Sequence, residues 1–72
     1  MNEIVYEKIQ KILLGELRYT SSNLALNMLI SKMQKKVLDN PDSMESCMNE
    51  IKEFAARSPI IAKVDFANIA KL

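Results

Sequence analysis

The chain predicts an all-α fold, a small antiparallel bundle of three main helices plus a short C-terminal helical segment, held in one domain covering residues 1–72. Three observations lead there. Apolar residues make up 49% of the sequence, while aromatics are 6% and glycine occurs once, a composition suited to helices packed through Leu, Ile and Met. Apolar positions recur at three- and four-residue spacing along three successive stretches, the period of a buried helix stripe. Asn-Pro at 40–41 and Ser-Pro at 58–59 mark helix starts, because proline is suited to a first helical position where its missing N–H is not needed.

Helix 1 begins near Glu3. At 100° per residue Val5, Tyr6, Ile9, Ile12, Leu13 and Leu17 gather on one side, and Glu3, Glu7, Lys11 and Arg18 on the other. Gly15 either ends the helix as a left-handed cap or sits inside it at a cost of about 1 kcal/mol. Leu17 continues the stripe, so the helix is expected to reach about Tyr19, which also places Glu16 within the apolar arc.

Thr20 to Asn23 is a run of side chains that compete for backbone hydrogen bonds, and it reads as a turn that caps helix 2. Helix 2 should span about Asn23 to Leu38, with a stripe of Leu26, Leu29, Ile30, Met33 and Val37. Leu24, Ala25 and Met28 fall on its opposite side. Its first half is therefore apolar nearly all round, which puts helix 2 at the centre of the bundle or against another subunit.

Helix 3 should start at Pro41, capped by Asn40, with Asp42 and Glu45 in the first turn where the helix dipole favours negative charge. It should run to about Arg57 on a stripe of Met44, Cys47, Met48, Ile51, Phe54 and Ala55. Past Ser58-Pro59, a short helical turn over Ile60 to Val64 and a last piece from Phe66 to Leu72, capped by Asp65, are expected. The apolar residues of this tail do not share one stripe, so it is either buried on several sides or leaves apolar surface bare.

The composition also bounds the chemistry. One cysteine and no histidine rule out an internal disulfide and disfavour a structural zinc site. The absence of histidine removes the usual acid–base group near neutral pH, and a single glycine leaves no phosphate loop. Cys47 lies inside the apolar stripe of helix 3 beside Glu45 and Glu50, surroundings that do not favour a thiolate, so it reads as core. Glu50 and Glu53 lie on that helix's polar face as solvated charges. No catalytic residue, metal ligand or cofactor is therefore expected, and the chain is not expected to be an enzyme. A net charge of +1 from ten basic and nine acidic residues gives little long-range pull on nucleic acid or membrane. The sequence lacks both a spanning apolar run and the basic-then-apolar opening of a signal peptide. With its free thiol it reads as cytoplasmic.

A chain this short hides a small share of its surface, and leftover apolar positions suggest that a protein partner covers them. Leu24, Met28, Lys32 and Lys35 on helix 2 are the first candidate contact set, and Ile61, Phe66 and Ile69 of the tail the second. The expected function is a non-enzymatic protein-binding module, a small regulator, inhibitor or assembly subunit whose partner is a second copy or a larger target. The alternative is a DNA-binding helix-turn-helix that uses the lysines of helix 2 on phosphates.

Overall fold

The computed structural model describes residues 1–72, and every element in it is helical. The elements are α1 (Glu3–Leu13), α2 (Leu24–Asp39), a 3₁₀ turn (Pro41–Ser43) running straight into α3 (Met44–Arg57), and α4 (Pro59–Ala70). Three asparagines start α1, α2 and the 3₁₀ turn that leads into α3. The side chains of Asn2 and Asn23 accept from the amides of Val5 at 2.8 Å and Leu26 at 3.0 Å, and Asn40 accepts from Asp42 at 3.2 Å. Each thereby satisfies an amide that has no partner within its own helix.

Helix 1 ends earlier than its stripe suggests. Gly15 adopts φ +79°, its amide donates to the Ile12 carbonyl at 3.0 Å, and the Glu16 amide reaches back to the Lys11 carbonyl at 2.8 Å. This is the paired-bond C-terminal cap that requires a left-handed residue, and glycine takes that conformation without a Cβ penalty. Leu17 does pack on the core, but from the linker rather than from a helix, and Glu16 is exposed in the turn.

The core draws Val5, Ile9, Ile12 and Leu13 from α1, Leu26, Ile30, Met33 and Val37 from α2, and Cys47, Met48 and Ile51 from α3. Close packing of such side chains is worth about 1.5–3 kcal/mol each relative to exposure. The first three helices thus bury the sides their periodicity indicates. Cys47 is fully enclosed, with its Sγ 3.8 Å from the Met33 carbonyl.

The C-terminal region departs from expectation. It is one unbroken helix, longer than α1, and Asp65 lies inside it, buried, rather than capping a second piece. Ile69 is 1% exposed and belongs to the core, and Phe66 packs against that core. Lys8 of α1 closes the far end, donating to the carbonyls of Ala70 at 2.7 Å and Leu72 at 2.5 Å, where a cation also offsets the negative end of the helix dipole.

Helices α1 and α3, not α2, are the most central. Each touches the other and both α2 and α4, whereas α2 and α4 do not meet. The physical reason lies in the last helix. Ile69 and the Lys8 clasp hold α4 on α1 and α3, so no fourth element is left to cover the outer side of α2.

Candidate functional site

Residues 14–23 connect α1 to α2, and they are tied down rather than loose. Ser21 and Asn27 exchange two hydrogen bonds, the Ser21 amide to Asn27 Oδ1 and Asn27 Nδ2 to the Ser21 carbonyl, both 2.7 Å. The Asn23 amide donates to Ser21 Oγ at 2.9 Å. Tyr19 turns inward, and its hydroxyl donates to Asp65 of α4. Burial and the adjacent Asp65 carboxylate raise the Tyr19 hydroxyl from 10.0 to about 12: burial disfavours the phenolate, and the carboxylate repels it. This linker thereby fixes where α2 starts and which side of α2 turns outward.

Two of the side chains named for the α2 surface are the most open large apolar ones on that helix. Leu24 is 73% exposed and Met28, one turn later, 65% exposed. Lys32 and Lys35 follow on the same side, both exposed, and neither pairs with a carboxylate. The molecule's ion pair joins Lys36 to Glu50 at 4.0 Å. The four helix 2 candidates therefore share one solvent-facing surface, with apolar groups toward the N-terminus and cations toward the C-terminus.

The tail candidates are not brought together in this way. Ile69 faces inward and offers no contact surface, and Phe66 is partly buried against the core. Ile61 is half-buried on the wall of a shallow cleft of about 220 Å³ between Ser22, Asn23 and α4. The open apolar residues of α4 are instead Ile60, 81% exposed, and Val64, 56% exposed. Sequence periodicity could not find them, since α4 is apolar on every side and only its packing partners decide which side stays bare.

A larger open cleft, about 350 Å³, lies between the linker and α2. Gln34 crosses its floor, donating to the Ile12 carbonyl at 3.1 Å. No cluster of three or more His, Cys, Asp or Glu side chains able to hold a metal ion is present, and no helix is long and apolar enough to cross a membrane. The α1–α2 linker is ten residues long, longer than the three- or four-residue turn of a DNA-binding helix-turn-helix.

Fold and surface together define a small all-α domain with a bare apolar and basic face on its second helix. Compared with protein-family models, with curated proteins and with solved structures, the chain matches none of them.

Proposed function

We propose that this chain is a non-enzymatic protein-binding module, a small regulator, inhibitor or assembly subunit that holds another protein chain against the outer face of α2. The observation that carries the reading is the pair Leu24 and Met28, stacked one turn apart and both largely in solvent. Large apolar side chains grouped on one face gain by being covered, and a rim of exposed lysines sets orientation and association rate more than affinity. The inward placement of the other stripes supports the same reading, because each of α1, α2 and α3 already has one covered side and only α2 adds a second apolar one.

The test places a photo-crosslinking side chain at position 28 and, separately, at Glu53, which is exposed on α3. Expression in the native host, with light scattering across a dilution series of the purified chain alongside, covers both a foreign partner and a second copy. The reading expects a discrete adduct or a dimer through position 28, absent at position 53 and removed by Leu24→Glu. Equal labelling at the two positions, or adducts indifferent to Leu24→Glu, overturns it.

A further inference from the structure

Resting on the protein-binding reading above, we infer that the occupant of the α2 face is an amphipathic α-helix with an acidic margin, supplied by a different protein rather than by a second copy of this chain. Two observations on the same helix carry this inference, the spacing of the outward residues and the charge around them.

Leu24, Met28, Ser31, Lys35 and Leu38 follow one another at intervals of four, three, four and three residues. All five are exposed, Leu38 by 59%, and they stand opposite the inward stripe of Leu26, Ile30, Met33 and Val37. A four-three alternation is the 3.5-residue period of a coiled-coil seam, the pattern that lets a second helix lie along the first with its side chains set into the gaps. The inward stripe also alternates four, three and four, so α2 carries two such seams, one used within the molecule and one open. Ser31 at the middle of the open seam is small and lets a partner backbone approach. The aliphatic stem of Lys35 can lie along the seam while its ammonium reaches out beside Lys32.

Charge then chooses the occupant. On this face Lys32 and Lys35 are free of carboxylates, and the only acid on α2 is Asp39 at its last residue. A second copy docked seam to seam fits poorly in either direction. Antiparallel, with Ser31 at the two-fold axis, it sets Lys32 against Lys32; in parallel it sets Lys35 against Lys35. Like charges set against one another, beside the seam at Lys32 or within it at Lys35, disfavour the pair, and opposite charges select it. A helix with leucines on one stripe and glutamates beside them covers Leu24, Met28 and Leu38 and neutralises both lysines. An anionic bilayer shares part of this chemistry, but the net charge of +1 gives little attraction to such a surface, and Lys35 lies within the seam rather than on its border.

The experiment uses the whole chain and two labelled peptide helices about four heptads long, with leucine at the seam positions and either glutamate or lysine throughout the flanking ones. Binding is read by fluorescence anisotropy at low and moderate salt. The expected result is at least tenfold tighter binding of the glutamate peptide, a tenfold or greater loss with Met28→Glu, and a reversed preference in Lys32→Glu/Lys35→Glu. Met28 and both lysines are solvent-facing, so circular dichroism should show all variants folded. Equal affinity for both peptides, or a preference unchanged by the double reversal, overturns the acidic-helix inference. If neither peptide binds but light scattering detects a dimer that Met28→Glu dissolves, a second copy is the occupant; the inference falls and the protein-binding reading stands. Sedimentation with vesicles rich in phosphatidylserine, without peptide binding, assigns the face to membrane, and both fall.

Discussion

The bond between Tyr19 and Asp65 ties the α1–α2 linker to α4, and replacing Tyr19 with phenylalanine removes it. The ring stays and only the hydroxyl is lost. What remains is a carboxylate on a residue 4% exposed that has lost its hydrogen-bond donor, and a bond to a charged acceptor of this kind is worth about 1.5–3 kcal/mol. The acid–base behaviour of Tyr19 sets how stability changes in alkali. A hydroxyl raised from 10.0 to about 12 by burial and by Asp65 corresponds to about 2.7 kcal/mol at full value. Tyr19 is partly exposed, and solvent screening brings this to about 1–2 kcal/mol. Because the folded value lies above the unfolded one, the stabilisation is fully present below pH 10 and disappears as pH rises through about 12. Urea unfolding followed by far-UV circular dichroism should therefore show Tyr19→Phe less stable by about 1–2 kcal/mol at neutral pH, with the gap to wild type roughly halved at about pH 11. The chain has two tyrosines, so in a Tyr6→Phe background the phenolate absorbance reports Tyr19 alone and should rise well above pH 10. A variant as stable as wild type at neutral pH, or a gap that does not narrow in alkali, refutes the reasoning.

Other consequences of the fold can be measured in the same way. Gly15→Ala should cost about 1–2 kcal/mol in urea unfolding, because φ +79° is unfavourable for alanine even though the nearest atom to an added Cβ, Gln34 Nε2, is 3.9 Å away. Met48→Ala removes a fully buried core side chain and should destabilise by about 2–5 kcal/mol, a large part of the stability of so small a domain. Cys47 should react with a thiol reagent only as fast as the chain opens, so labelling should accelerate with urea, and rapid labelling of the native chain would contradict its burial. Met28→Glu should leave the unfolding free energy from urea within about 0.5 kcal/mol of wild type, since the side chain it replaces faces solvent.

The positions of the helices could be read from the sequence where a local rule decides them. Asn23, Asn40 and the two prolines mark starts that the structure keeps, and the stripes of α1, α2 and α3 bury as their spacing indicates. The end of α1 was open to two local readings. Leu17 suggested continuation, Gly15 suggested a stop, and the cap prevailed because it satisfies the last carbonyls of α1 while Leu17 still reaches the core from the linker. Asp65 looked like a cap because short acidic residues often serve as one, and nothing nearby in the sequence announces Tyr19 as its partner, 46 residues away.

The surface divides along the same line. That Leu24 and Met28 sit across α2 from its core stripe follows from a 100° turn per residue and needs no coordinates. Whether that side stays bare does not, since it depends on where α4 comes to rest. Helix α4 is apolar all round, so its own pattern favours no direction, and contacts from distant parts of the chain choose one for it: Ile69 in the core, Lys8 on its last carbonyls, and Tyr19 on Asp65. Sequence alone determined the helical class, the starts of the helices and the inward stripes of the first three, because these depend on neighbours within a turn or two. Tertiary structure alone decided that Ile69 is inside and Phe66 rests against the core, that Ile60 and Val64 are outside, and that the second seam of α2 lies open, because burial is set by which surfaces meet and not by the period of either one.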